Sequence, residues 1–357
     1  MVSIQNILNH LLDKFIVKII CKKSGKNLCF IGLNQNDEFD LSSIDKTYQF
    51  VLIAGNDENI IQNDLYYFDK SFCVMNRYYS LFTRKVNDLS KNLTVSVIIP
   101  LFNSEKTILR SLKSVESQSY PIKEIVVVND GSSDNGEKIV QDFINQSKLK
   151  TILINQENSG PSRARNIGIS ASSGDLIAFL DSDDYWSNNK IECQINVIKD
   201  LPNFGLIATN RNNEFFESFL IWRFGTVVRL PFYFFFLKNF CPTPTVILKR
   251  SIVDKVGLFD EKMKYCEDSD FWRRIAKRYD CYLLNQSLAT TGDGKPSFGA
   301  SGLSSNLYEM QKGEIKSIIK SRSEKEISLI EAIIYCSYSM IKFLRRVVIV
   351  SIRKAKK

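Results

Sequence analysis

Three acidic residues come directly after a short run of apolar residues. Leu176–Leu180 is apolar throughout, as in a buried strand, and Asp181, Asp183 and Asp184 fall within the next four positions. Asp181 and Asp183 offer hard oxygen ligands of the kind that Mg²⁺ or Mn²⁺ takes, and such an ion can neutralise charge on phosphate groups. The alternative is that these acids cap a helix that begins near Asn188.

A second polar cluster is Asn129-Asp130-Gly131-Ser132, which follows another apolar run. The glycine permits a tight turn, and the carboxylate of Asp130 can accept a hydrogen bond from an N–H group of a nucleobase. An Asx-turn followed by a helix cap at Asp134 accounts for the same residues.

A third cluster, Glu267 and Asp268, precedes Phe271-Trp272-Arg273. A carboxylate placed beside a reacting hydroxyl can act as a general base, and Asp268 is the first choice for this role, with Glu267 second. The alternative is that both acids stabilise the first turn of a helix through its dipole.

These clusters lie on a regular alternation of strands and helices, which predicts an α/β fold with a parallel sheet. In such sheets ligands bind beyond the carboxyl ends of the strands, so the polar clusters are expected to converge. The predicted elements are strand Val95–Pro100, helix Glu105–Ser117, strand Glu124–Asn129, a helix near Asn135–Phe143, strand Thr151–Asn155, helix Arg163–Ser170 and strand Asp175–Leu180.

Taken together and in this order, the motifs resemble the family 2 inverting glycosyltransferases of GT-A fold. The resemblance covers about residues 93–300 and includes Val95–Asn103, Asn129–Asp134, Arg163–Asn166, Leu180–Asp184 and Glu267–Arg273. It implies a GT-A-like, mostly parallel sheet with helices on both faces. It also implies a nucleotide-sugar donor, UDP-linked by family habit, a Mn²⁺ or Mg²⁺ ion, and one-step displacement with inversion.

The resemblance also assigns roles to single residues. Asp268 would be the base, and Asp181 and Asp183 would hold the metal ion, with Asp181 also at the ribose. The remaining donor-binding positions would be Pro100, Phe102 stacked near the nucleobase, Asn103, Asp130 on the nucleobase, and Arg163 or Arg165 near the nucleotide. The chain departs from the common pattern at Asn129, where an aspartate is usual, and no histidine follows the base motif.

Other classes of protein fit less well. A sugar-nucleotide-forming nucleotidyltransferase would need a glycine-rich basic loop after the first strand, where this chain has Pro100–Ser104. A dehydrogenase would need a Gly-x-Gly-x-x-Gly motif there. A non-catalytic carbohydrate-binding or scaffold protein remains an alternative, although it would have no use for the full set of acids.

The flanking regions carry fewer chemical signals. Residues 1–92 are predicted to form a small α/β unit of unknown role, with strands at Phe15–Cys21, Asn27–Leu33, Tyr48–Ala54 and Ser71–Met75 and a helix between the last two. The aromatic run Pro231–Leu237 is interpreted as core or as part of an acceptor groove. Gly292–Ser305 is expected to be a mobile loop, and residues 301–357 a loop and a C-terminal helical tail.

The tail also contains most of the excess positive charge. The formal net charge of the 357 residues is +9, and Ile341–Lys357 has seven basic and no acidic residues. Apolar residues from Ile327 to Ile352 recur every three or four positions, which predicts an amphipathic helix on an anionic membrane surface rather than a nucleic-acid-binding face. The eight cysteines form no Cys-x-x-Cys pair, and the N-terminus does not resemble a signal peptide. We therefore expect a cytoplasmic protein, peripheral on the cytoplasmic membrane, with a saccharide or lipid-linked acceptor.

Overall fold

A computed structural model describes the backbone of the strands between Leu28 and Arg84, together with residues 93–199, 201, 203–220, 222–292, 298–299 and 305–355. The chain divides into two compact units. One unit contains residues 1–89, 199–202 and 215–229, and the other contains residues 90–198, 203–214 and 230–357.

The described strands, in chain order, are β1 Leu28–Gly32, β2 Phe39–Asp40, β3 Phe50–Ala54, β4 Ile60–Ile61, β5 Tyr66–Val74, β6 Arg77–Arg84, β7 Val95–Leu101, β8 Ile122–Asp130, β9 Thr151–Gln156, β10 Leu176–Phe179, β11 Tyr185–Trp186, β12 Phe204–Arg211, β13 Ser218–Phe219, β14 Trp222–Arg223, β15 Val227–Leu230, β16 Ile247–Lys249 and β17 Asp280–Thr290. The described helices are α1 Ile108–Glu116, α2 Gly136–Gln146, α3 Pro161–Ala171, α4 Lys190–Ile198, α5 Phe234–Leu237, α6 Val253–Val256, α7 Glu267–Ala276, α8 Leu307–Ser323 and α9 Leu329–Ala355.

The first unit contains a six-stranded sheet in the order β1-β3-β6-β5-β14-β13. Strands β1 and β3 are parallel, whereas β3–β6 and β5–β6 are antiparallel. The predicted strands Asn27–Leu33, Tyr48–Ala54 and Ser71–Met75 correspond to β1, β3 and the end of β5. Where a helix was predicted before Ser71, the described residues form β4 and the start of β5. The predicted strand Phe15–Cys21 lies outside the described residues.

The second unit is built on a sheet in the order β11-β17-β12-β16-β10-β7-β8-β9. Strands β10, β7, β8 and β9 are mutually parallel, and β16 runs antiparallel to both of its neighbours. The central part of β8, Ile125–Val128, is apolar without alternation because both of its faces are buried. On one face, Val126 and Val128 pack with Ala164 of α3. The predicted mostly parallel α/β architecture is confirmed, and each predicted element from Val95 to Leu180 is present with slightly different ends.

The two C-terminal helices pack on the second unit through an apolar cluster. Ile318 of α8 and Ile327, Ala332 and Tyr335 lie with Phe236 of α5, and the rings of Phe236 and Tyr335 stack with centroids 4.4 Å apart. Within the aromatic run Pro231–Leu237, Phe234, Phe235 and Phe236 are buried, so the core interpretation is confirmed for these three residues. Most of the predicted loop Gly292–Ser305 lies outside the described residues.

Strands β7 and β8 are also joined by a buried polar group. The carboxylate of Glu124 accepts hydrogen bonds from Ser96 Oγ (2.8 Å), from the backbone N–H (2.6 Å) and Oγ of Ser173, and from Lys150 Nζ (2.7 Å). Burial by itself would raise the pKa of Glu124, but these donors outweigh it and lower the pKa to about 2. The group therefore stabilises the fold in its charged form.

We expect Glu124→Gln to lower the free energy of unfolding at pH 7 by about 1–3 kcal/mol, because the amide cannot accept from all four donors. Since the folded-state pKa lies below the unfolded value, the wild-type contribution is complete above about pH 4.5 and disappears as the pH falls towards 2. Urea unfolding at several pH values measures both effects. Glu309→Gln, which removes an exposed pair with Lys312, is the control and should cost less than about 1 kcal/mol. Equal losses for the two variants would contradict the prediction.

Candidate active site

A cavity of about 520 Å³ opens in the second unit beyond the end of β10. Four of the predicted site residues line it: Arg165 of α3, Asp181 after β10, and Glu267 and Asp268 in the first turn of α7. Further parts of its wall come from residues 235–239, 242–244 and 264–266 and from helices α8 and α9. The structure thus brings one predicted metal ligand and both predicted base candidates into one cavity.

Arg165 links the two groups of acids. Its Nη2 lies 2.8 Å from Asp181 Oδ1 and its Nη1 lies 3.0 Å from Glu267 Oε1, with the guanidinium over the ring of Phe259. Burial opposes the charged form, but the carboxylates of Asp181 and Glu267 outweigh it and raise the pKa of Arg165 above its usual range. Arg165 therefore stays charged and connects the strand-end acids to the first turn of α7.

Glu267 and Asp268 have different surroundings. Glu267 is buried against Arg165, and burial, with a further contribution from the charge of Asp268, raises the pKa of Glu267 to about 7 although Arg165 opposes the change. Asp268 is only half-buried, and its Oδ2 accepts a hydrogen bond from Asn239 Nδ2 at 3.2 Å. Its Oδ1 accepts from the backbone N–H of Ser269 at 2.6 Å. Of the two acids, Asp268 is the one with solvent access to the cavity.

The described contacts of the acids after β10 do not support the alternative that these acids cap a helix. Asp181 pairs with Arg165, and Asp184 Oδ1 accepts from the backbone N–H of Gly292 at 2.9 Å, whereas α4 begins only at Lys190. Asp184 was not among the predicted site residues, although it also lines the cavity and is buried. Burial, followed by the charges of Asp181 and Asp183, raises the pKa of Asp184 to about 8.

The loops after β7 and β8 are tied to each other. Asn103, at φ 46°, donates its backbone N–H to Ser132 Oγ (3.1 Å), and its Oδ1 accepts from the backbone N–H of Ser133 (2.9 Å). Phe102 beside it is 48% exposed, which leaves its ring available for stacking. Pro100, Phe102 and Asn103 do not line the cavity, but they lie at the same sheet edge as Asp181 because β7 and β10 are parallel.

Asp130 holds the loop that leads into α3. Its carboxylate is buried and accepts from Gln156 Nε2 and from the backbone N–H groups of Ser159 (2.7 Å) and Gly160 (2.9 Å). Contact between Asp130 and a nucleobase remains a prediction. The alternative for this segment was an Asx-turn. In the structure that turn belongs to Asn129, whose Oδ1 accepts a hydrogen bond from the backbone N–H of Ser132.

The contacts of Asn129 explain why an amide side chain occupies this position. Its Nδ2 donates to Glu137 Oε2 (3.2 Å) and to Asn155 Oδ1 (3.1 Å). An aspartate could not donate to either oxygen and would add a second carboxylate beside Glu137. The departure from the usual family pattern therefore fits its local surroundings.

Arg163 and Asp183 lie outside the cavity. Arg163 is exposed and lines a separate shallow depression with Asn166 and Glu261, so only Arg165 of the two arginines faces the acids. Asp183 is exposed at the turn after β10. Within the described residues no group of three or more protein ligands could hold a metal ion. Two carboxylates, Asp181 and Asp183, still fit Mg²⁺ or Mn²⁺ of the kind completed by water and substrate phosphates.

Sequence reasoning missed several residues of the cavity. Asn239 contacts Asp268 from an irregular segment that has no periodic pattern. Arg211 at the end of β12 and four charged residues of the C-terminal helices also line the cavity: Glu314, Lys342, Arg345 and Arg346. No local motif marks these positions, since only the packing of α8 and α9 brings them to the acids.

Comparison with known proteins defines the family. The family model described as Glycosyl transferase family 2 matches residues 96–257 of this chain. The chain is 34% identical over 225 residues to the Escherichia coli protein WfgD, a UDP-Glc:alpha-D-GlcNAc-diphosphoundecaprenol beta-1,3-glucosyltransferase, covering 61% of this chain and 82% of WfgD. The chain belongs to glycosyl transferase family 2. The resemblance stated from the sequence motifs is therefore confirmed.

Other family 2 relatives are matched over a smaller share of their length. An uncharacterized glycosyltransferase of Rickettsia bellii is 31% identical over 56% of this chain, and one of Haemophilus influenzae is 37% identical over 34%. The chain spans 29% and 47% of these two proteins. Among solved structures, Staphylococcus aureus TarS 1–349 in complex with UDP-GlcNAc superposes with a TM-score of 0.52 at 22% identity, covering 70% of this chain and 72% of that one. This likeness supports the family 2 fold alone.

Proposed function

We propose that this family 2 member is an inverting glycosyltransferase. It moves a sugar from a nucleoside-diphosphate sugar, UDP-linked, to a hydroxyl of a saccharide or lipid-linked acceptor. Asp181 and Asp183 hold Mn²⁺ or Mg²⁺, and Asp268 is the general base. The observation that carries the proposal is the Arg165 bridge, which joins Asp181 to Glu267 beside Asp268 in one cavity.

The reaction follows from this arrangement. Asp268 takes the proton of the acceptor hydroxyl, whose oxygen forms a bond to the anomeric carbon of the donor. The bond from that carbon to the diphosphate oxygen breaks, and its electron pair leaves with the nucleoside diphosphate. When bound, a divalent cation at Asp181 and Asp183 would offset the charge of this leaving group. Asn239 orients Asp268, and Arg165 fixes Glu267 beside it.

Support for the donor and acceptor classes comes from the relatives. WfgD is named for UDP-Glc and for a diphosphoundecaprenol-linked saccharide, and TarS 1–349 was solved with UDP-GlcNAc. Incubating the chain with a panel of nucleotide sugars and Mn²⁺ tests the proposal. Release of free nucleoside diphosphate supports a transferase, pyrophosphate chemistry would support a nucleotidyltransferase, and the absence of turnover with every donor would favour a carbohydrate-binding scaffold.

We further propose that α9 lies on an anionic membrane surface. Six apolar residues on one side of this helix are each more than half exposed: Ile330, Ile334, Ile341, Leu344, Val348 and Ile352. Basic residues from Lys342 to Lys354 lie beside them, as in helices that bind the interface of anionic bilayers. Of the predicted stripe, Ile327 is instead buried, because it belongs to the apolar cluster, and Tyr338 is half-buried. No helix among the described residues has the length and apolar character needed to cross a bilayer.

The membrane proposal predicts that Ile334→Ser/Ile341→Ser/Val348→Ser loses binding to phosphatidylglycerol vesicles, whereas the wild type sediments with them and releases in high salt. Ile319→Ser, an exposed apolar residue of α8, is the control. Substitution is preferable to deleting the tail, since Ile327, Ala332 and Tyr335 are part of the core. Salt-independent binding to phosphatidylcholine vesicles, or a dimer that the triple variant separates, would contradict the proposal.

A further inference from the structure

Helix α8 packs directly against the segment that carries the candidate base. A Cβ atom added at Gly313 would lie 2.7 Å from the backbone oxygen of Tyr265, so only glycine permits this approach. Cys266 Sγ lies 3.6 Å from the carbonyl oxygen of Met310, and Lys320 Nζ lies 3.1 Å from Asp270. The C-terminal helices are therefore part of the wall around Asp268.

Helix α9 is fixed to the same wall. Lys342 Nζ donates to the backbone oxygen of Leu237 at 3.1 Å, two residues before Asn239, and also to Glu314 of α8. Arg346 Nη2 lies 3.1 Å from the other oxygen of Glu314. These contacts place the basic residues of α9 beside the segment that orients Asp268.

Three basic residues of α9 line the cavity together with the lysine that precedes Tyr265: Lys264, Lys342, Arg345 and Arg346. We call these residues the basic wall. Glu314 is the single acid that α8 and α9 contribute to the cavity, and Lys342 and Arg346 share it. Lys264 and Arg345 are exposed. The basic wall therefore has more positive charge than its own carboxylate balances, and lysine and arginine at such a position suit a phosphate group.

The two sides of the cavity differ in charge, since the strand side has three acids beside the two arginines Arg165 and Arg211. Asp181, Asp184 and Glu267 are on the strand side, where Arg165 pairs with Asp181 and Glu267. Asp268 lies between this side and the basic wall, because it follows Glu267 in α7 and bonds to Asn239 near Lys342. A hydroxyl that Asp268 deprotonates must lie next to Asp268, so the molecule that bears the hydroxyl can reach the basic wall.

We propose that the basic wall binds a phosphate or diphosphate group of the acceptor. This inference rests on the proposed transferase function and deepens it, since it assigns an anionic acceptor and names its ligands. The donor diphosphate is the other possible source of phosphate. We assign the basic wall to the acceptor because the donor diphosphate is expected at Asp181 and Asp183, and Asp268 lies between Asp181 and the basic wall.

Calorimetric binding of octyl diphosphate, with UDP and Mn²⁺ present to fill the donor site, tests this assignment. We expect Lys264→Gln/Arg345→Gln to weaken binding by about tenfold or more, because two charged hydrogen-bond donors are lost. Arg322→Gln/Lys354→Gln has the same change in charge at exposed positions outside the cavity, and should bind like the wild type. Octyl glucoside, which has no charge, should show no difference among the three proteins.

The outcomes separate the possible sources of phosphate. Displacement of UDP by octyl diphosphate, or weaker UDP binding in the Lys264/Arg345 variant, would assign the basic wall to the donor and overturn the proposal. Unchanged octyl diphosphate binding, with equal loss of phosphatidylglycerol vesicle binding in both double variants, would assign these charges to the bilayer and also overturn it. A chain that binds octyl diphosphate through the basic wall but hydrolyses no donor would instead show that the transferase proposal had failed. Melting temperatures of both variants check that the fold is kept.

Discussion

Asp268→Asn is expected to lower the rate of sugar transfer at saturating donor by about 10²-fold or more, since an amide cannot take the proton of the acceptor hydroxyl. Donor binding should change little, because the proposed ligands of the donor diphosphate and its cation are Asp181 and Asp183, and the amide oxygen can still accept from the backbone N–H of Ser269. Single-turnover kinetics, together with UDP binding by calorimetry, separates the two quantities.

Glu267→Gln is the informative comparison for this variant. It removes one of the two carboxylates that pair with Arg165, so it should lower the melting temperature as well as the rate, whereas Asp268→Asn should leave the melting temperature nearly unchanged. If Asp268→Asn instead weakens donor binding while the rate at saturation is normal, Asp268 is a binding residue. If Glu267→Gln alone abolishes transfer in a stable protein, the base is Glu267.

Asp183→Ala is expected to reduce transfer by on the order of 10³-fold, because a divalent cation stabilises a leaving diphosphate by several kcal/mol and each 1.36 kcal/mol changes a rate tenfold. Asp183 is exposed at a turn, so its removal should not unfold the protein. The measurement is transfer as a function of Mn²⁺ concentration, with Mn²⁺-dependent UDP binding as a second readout.

Asp142→Ala serves as the matched control, since Asp142 is an exposed acid of α2 outside the cavity. The control should titrate with Mn²⁺ like the wild type. Transfer by Asp183→Ala at the wild-type rate in excess chelator would contradict the metal assignment and leave Asp183 as a surface residue of the turn.

Local patterns were sufficient to predict the four parallel strands β7 to β10 and the motifs that follow them, but not β11, β12, β16 and β17 of the same sheet. Each strand from β7 to β10 combines an apolar run with a polar turn, and both signals are contained within about ten residues. The same patterns identified Asp181, Glu267 and Asp268, which share the cavity. They did not identify Asn239 or the residues of α8 and α9, because contacts such as Lys342 with Leu237 join positions 105 residues apart.

The two arginines of α3 have different surroundings in the structure. Arg163 and Arg165 are two positions apart, so on a helix they point to different sides. Arg165 is on the buried side, where Asp181 and Glu267 meet it, and Arg163 is on the exposed side. The spacing of the two arginines does not show which of them is buried. The position of α3 relative to β7 and β8 determines that.

Helix α9 has exposed apolar residues on one side and contributes Lys342 and Arg346 to the cavity on another. With 27 residues it is about 40 Å long at a rise of about 1.5 Å per residue. A rigid rod of that length lying flat on a bilayer leaves the molecule free to turn only about the membrane normal. The cavity would then stay at a constant height above the lipid headgroups, and its encounters with an anchored substrate would become a search in two dimensions.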